Sequence, residues 1–178
     1  PTVWRGQLEK AALRLAQAYT DRGTFEQENV VSATLYRQAL NLLDTFGTFT
    51  TLEPARLKAL ISSHGKLGDY LASTDKIAEA IREYEAGYKV AEKLIATAPA
   101  DSLPSYRNDR IAPLLTQLGM ARLLEGNTVA AKKAFDQAYE SFTYGLYSYF
   151  YGHVDLMEGR ETDAMRRYGE IYSELQLG

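Results

Sequence analysis

Along most of the chain apolar residues recur at steps of three and four, the spacing that gathers them on one face of an α-helix. The clearest stretch runs Leu115-Thr116-Gln117-Leu118-Gly119-Met120-Ala121-Arg122-Leu123-Leu124-Glu125-Gly126-Asn127, then Ala130-Ala131-Lys132-Lys133-Ala134-Phe135-Asp136-Gln137-Ala138. Gly126-Asn127 interrupts it as a helix C-terminal cap and turn. Gly119 lets a neighbouring backbone come close, while Ala131, Phe135 and Ala138 share one face. A small-large-small stripe is what two antiparallel helices need to interlock.

The same frame returns elsewhere. Gly152 and Gly159 repeat the seven-residue step of Gly119 and Gly126, and Ala164 and Tyr168 match Ala131 and Phe135, all at one constant offset. Upstream, Leu67-Gly68 with Ala80, Tyr84 and Gly87 repeats it, Asp75 standing where the turn glycine is expected. At the start, Leu15-Ala16, Tyr19 and Gly23 predict a first helix, and Tyr36 and Ala39 a second after about four extra residues around 24–31. The intervals Ala16–Gly68 and Gly68–Gly119 are nearly equal and much longer than Gly119–Gly152, which predicts lengthened helices and real loops in the first part. One helix is expected from Lys76 to Thr97, ended by Ala98-Pro99. Loops are expected at 100–105, where Ser102 or Ser105 can cap the next helix, and at 45–51, before Pro54 in a first helical turn. No segment reads convincingly as a strand.

Leu-Gly early in one helix, Gly at the turn, then Ala, an aromatic and Ala in the next resembles the tetratricopeptide repeat family. The resemblance covers nearly the whole chain as four units, 9–46, 61–99, 112–145 and 145–178, in one domain spanning 1–178. It implies an all-α fold: a right-handed superhelical solenoid of about four antiparallel helix pairs, some longer than the usual period. Arg122 and Asp155 depart from it, standing where the family usually has tyrosine, and most unit ends lack the family's proline. The resemblance also implies a concave groove lined by the first helix of each pair, where Gln17, Asp69, Thr116, Met120, Tyr149 and His153 would face a peptide or partner protein. The alternative for Met120 and Tyr149 is packing against the next helix. One version of the family grips a C-terminal carboxylate with Lys, Asn and Arg. The corresponding positions here carry Leu13, Gln17, Lys66, Pro113 and Gln117, so that clamp is absent.

Composition narrows the function. Hydrophobic residues are 46% and charged residues 24% of 178, the balance of a folded soluble chain. Lys+Arg number 20 against 23 Asp+Glu, and the pairs Arg107/Arg110, Lys132/Lys133 and Arg166/Arg167 are scattered, which argues against a nucleic-acid partner. No cysteine is present, so disulfides, thiolate catalysis and cysteine zinc sites are excluded. The compartment stays open, the cytoplasm slightly favoured and the periplasm the alternative if a signal segment was removed. No run approaches the ~20 apolar residues that span a bilayer. The start, Pro1-Thr2-Val3-Trp4-Arg5, without an initiator Met, reads as an excised domain or processed chain.

His64 and His153 have no carboxylate at a helical metal spacing, and Ser62-Ser63-His64 lacks an acyl-transfer signature. The expectation is a protein that binds rather than catalyses, with no metal or cofactor. The partner would be a protein or peptide. An accessory or sensor domain of a larger protein is the second reading. The third is a self-associating module using the aromatic run Phe142-Thr143-Tyr144-Gly145-Leu146-Tyr147-Ser148-Tyr149-Phe150-Tyr151, whose rings outnumber what one helix face buries.

Overall fold

The computed structural model describes residues 2–25, 30–49, 52–141 and 146–176. All the secondary structure among them is helical, and it falls into two compact units, Pro1–Tyr106 and Arg107–Gly178. The first unit holds α1 (Thr2–Phe25), α2 (Val30–Thr45), α3 (Glu53–Ser73), α4 (Ile77–Thr97) and the single turn α5 (Leu103–Tyr106). The second holds α6 (Ala112–Leu124), α7 (Thr128–Ser141), α8 (Leu146–Met157) and α9 (Glu161–Gln176). In the first, α1 packs with α2 and α3 with α4, while α3 also touches α1 and α2. In the second, α6 packs with α7 and α8 with α9, while α8 also touches α6 and α7.

Three of the four pairs share one turn. Asp75, Gly126 and Gly159 take φ of 62°, 83° and 75°, the left-handed region where a Cβ crowds the following carbonyl. The amide of the next residue donates five residues back, Lys76 to Leu71 at 2.8 Å, Asn127 to Arg122 at 2.9 Å and Arg160 to Asp155 at 2.8 Å. This is the Schellman arrangement, and it satisfies carbonyls that the helix end leaves open. With so short a connection the second helix must fold back on the first. Asp75 therefore does the work of the turn glycine at some backbone strain.

Each pair is then closed by a glycine against an aromatic ring. A Cβ on Gly23, Gly68, Gly119 or Gly152 would sit 2.6 Å or less from the ring of Tyr36, Tyr84, Phe135 or Tyr168 respectively. Only a residue with no side chain lets the facing ring lie flush on the helix backbone. Gly68–Tyr84, Gly119–Phe135 and Gly152–Tyr168 have one and the same separation along the chain, and Gly23–Tyr36 a shorter one. The sequence register of the first pair is thereby corrected: Gly23, not Ala16, is the counterpart of Gly68. The interval from glycine to ring is three residues shorter than in the other pairs rather than four longer.

Around these contacts lie the cores, Leu43, Leu67, Leu71, Tyr84 and Leu94 in the first unit and Leu115, Leu123, Phe135 and Val154 in the second. Between α1 and α3 the hydroxyls of Thr20 and Ser63 are buried and share a 2.9 Å hydrogen bond. The segment before α3 is pinned by Glu53, which accepts from the Phe49 amide at 2.7 Å and pairs with Arg56. Pro54 occupies the first turn of α3, and α4 ends at Thr97 with Ala98 extended before Pro99, both as expected. The stretch expected as a loop at 100–105 is instead a 3₁₀ turn, Ala100–Ser102, running into α5 and then a π turn, Arg107–Ile111. Neither serine caps α6, which starts from Ile111 without a side-chain cap.

Candidate functional site

In three of the four pairs the residue after the ring-facing glycine lies at the tip of the opposing ring. Asp69, after Gly68, accepts a 2.9 Å hydrogen bond from the Tyr84 hydroxyl. His153, after Gly152, shares a 2.6 Å hydrogen bond through Nδ1 with the Tyr168 hydroxyl. Thr24, after Gly23, lies 3.4 Å from the Tyr36 hydroxyl. Where the ring is Phe135 and has no hydroxyl, the matching residue is Met120, packed on the cluster of Leu123, Ala131, Phe135 and Val154. Polar meets phenol and apolar meets phenyl.

The surroundings set the charge states. Burial pushes the Asp69 carboxyl up, against the Tyr84 hydrogen bond and the Lys66 ammonium. Burial and the facing carboxylate push the Tyr84 phenol far above its ordinary range. Burial lowers His153, so its imidazole stays neutral to lower pH than in water.

In the first unit these positions border a half-open cavity of about 610 Å³. Its lining includes Thr24 at the end of α1, Tyr36 on α2, and Lys66, Asp69, Tyr70 and Ser73 on one face of α3. Within the second unit Tyr149, His153 and Tyr168 form an aromatic cluster, with Tyr149 and His153 centroids 4.4 Å apart and Tyr149 still exposed.

The six residues expected to line a groove therefore have different roles. Asp69 faces the cavity, and Tyr149 and His153 come together. Met120 packs against the core cluster, the packing alternative, and Thr116 is half-buried on α6. Gln17 is exposed and donates at 2.8 Å to Asp21, one turn on along its own helix. With the register set by Gly23, Thr24 takes the position assigned to Gln17. Sequence reading missed Lys66, Tyr70 and Ser73 as cavity residues, although their spacing of four and three after Lys66 marks one helix face. The aromatic residues Phe142 and Tyr144 lie outside the described residues.

A second polar constellation spans α8 and α9. Asp155 is buried and accepts hydrogen bonds from Arg160 and, at 2.7 Å, from Arg167. Burial alone would raise its carboxyl, but the two guanidinium groups outweigh that and hold it below the usual carboxylate range. Glu158 bridges Lys132 on α7 and Arg160, and these hydrogen bonds bring it down to about 2. This network ties α7, α8 and α9 together at the turn.

No family model matches the sequence, and no curated protein does. Among the described residues no group of three His, Cys, Asp or Glu could hold a metal ion, and no helix is long and apolar enough to cross a membrane.

Proposed function

We propose that the chain is a helical-repeat interaction module of the tetratricopeptide type, binding extended segments of a partner protein on the faces of the first helices of each unit, α1 and α3 in the first and α6 and α8 in the second. The observation that carries this reading is the glycine–ring contact made in all four pairs. It supports the second helices as the packing layer, with one aromatic of each turned onto the first helix of its pair. The residues beside the glycines then become the repeated, chemically variable positions, which in the first unit open into a polar cavity. A fixed frame with variable residues at equivalent places is how repeat proteins present a binding surface. The assignment of function from architecture is by analogy. Selection of random extended peptides on the purified chain tests it. The reading expects a consensus to emerge, and a selection that converges on nothing counts against it.

A self-associating module is the second reading. It is favoured by Met165 and Tyr172, 70% and 65% exposed and two turns apart on α9. Light scattering over a range of concentrations decides it: a mass rising toward a dimer supports self-association, and a constant monomer mass excludes it.

A further inference from the structure

Two of the hydroxyl groups around the first unit's cavity, those of Thr24 and Ser73, have directed their protons elsewhere. Thr24 donates to the Thr20 carbonyl at 3.0 Å and Ser73 to the Tyr70 carbonyl at 2.8 Å. With its own proton on Thr20, Thr24 can only accept from the Tyr36 hydroxyl, 3.4 Å away, so that proton is spent too. Asp69 is an acceptor by nature. Among the described residues its one hydrogen bond is from the Tyr84 hydroxyl to Oδ1, which leaves Oδ2 without a hydrogen bond on a residue that lines the cavity. A carboxylate this shielded normally collects several donors. Lys66 does not supply them: it lines the cavity but is exposed and, among the described residues, closes no ion pair with Asp69. Tyr36 and Tyr70, both nearly fully buried, add aromatic walls.

A cavity that offers acceptors on Thr24, Ser73 and Asp69 beside the rings of Tyr36 and Tyr70 is complementary to a group that has many donors, no acceptor and a positive charge. Guanidinium fits best, with five donors in a planar fork, and ammonium is next. The volume, about 610 Å³, is ample for one such side chain and part of the backbone beside it. We propose that this cavity is the pocket for an arginine or lysine side chain of the bound segment, with Asp69 as its counter-charge. The source of the cation rests on the peptide-binding reading above; the cation itself rests on the cavity.

N-acetyl-arginine methylamide titrated into the full chain, with amide chemical shifts as the readout, tests the pocket. The citrulline analogue, equal in shape and neutral, is the control. Arginine should shift Asp69, Tyr70 and Ser73, with citrulline about tenfold weaker or worse. Asp69→Asn keeps an acceptor for Tyr84 and removes the charge, and should weaken arginine by about tenfold. Lys66→Met, at an exposed position that carries no risk to the fold, should tighten it by about fivefold by removing a like charge. Equal binding of citrulline, an unchanged affinity in Lys66→Met, or no shift at these residues overturns the pocket. A blocked Ala-Ala-Arg-Ala-Ala peptide that binds more tightly than the single residue supports a peptide as the source, and equal affinity overturns that part. If selected peptides carry no basic residue, or bind Asp69→Asn unchanged, the pocket fails while the broader peptide-binding reading stands.

Discussion

Gly119 occupies a place where not even a methyl group has room, because the Phe135 ring lies on its Cα and is itself buried in the core. Gly119→Ala must displace that ring, and the expected loss is about 1–3 kcal/mol in denaturant unfolding. Gly169, on α9, is the contrast: a Cβ there meets nothing within 4 Å. Gly169→Ala should raise stability by about 0.5–1 kcal/mol through helix propensity alone. Tyr84→Phe takes from the half-buried Asp69 its one hydrogen-bond donor among the described residues, and should cost about 1–2 kcal/mol by the same measurement. The equal interval from Gly68, Gly119 and Gly152 to Tyr84, Phe135 and Tyr168 was legible in the sequence, but not the contact itself: Gly119 was expected to admit a neighbouring backbone, and it admits the Phe135 ring. The pair Gly23–Tyr36 was not legible, because its glycine lies about one helical turn nearer its ring along the chain, and the seven-residue step from Ala16 to Gly23 imitated the repeat's own step. The residue after each glycine was readable by position but not by role: nothing in the sequence decides between a groove and the core cluster for Met120, which packs against that cluster.

At the scale of the helices and their turns, the left-handed residue decides where one element ends and the next begins. Asp75 is strained where Gly126 and Gly159 are not, so Asp75→Gly should raise stability by about 1 kcal/mol, and Gly126→Ala should lower it by about 1 kcal/mol. Thermal melts of the two variants check both signs. The turns were readable because glycine at a helix end has a single strong reason to be there. The helical turns at 100–111 were not, since Pro99 and Pro104 look like loop residues until the first-turn tolerance of proline is applied to each short segment. The network on Asp155 was hidden as well. Arg160 and Arg167 lie beyond it across a turn, and only the fold-back brings all three together. Both Asp155 and Glu158 have their folded pKa lowered, so their contribution is present above the unfolded value near 4 and is lost as pH falls through the folded value. Melting temperature should therefore drop between about pH 4 and 2, and Asp155→Asn should flatten that drop. At neutral pH the same variant should cost about 2 kcal/mol, less than a fully buried pair because Arg160 is solvent-exposed.

For the whole molecule, hydrophobic periodicity and the repeated frame were enough to read an all-helical chain built of neighbouring pairs, because local spacing alone determines a helix and its buried face. The division into Pro1–Tyr106 and Arg107–Gly178 was not readable, since it depends on which helices touch across long stretches of sequence. The cavity was also beyond reach: its lining comes from α1, α2 and α3, and its acceptor character depends on where hydroxyl protons point rather than on which residues are present. The central claim, that the first helices present the binding face while the second helices pack, is tested most directly by mapping amide chemical-shift changes over the full chain when a selected peptide is added. Changes concentrated on α1, α3, α6 and α8, with Asp69 and Tyr149 among the largest, are the predicted result. Changes concentrated on α2, α4, α7 and α9 would contradict it.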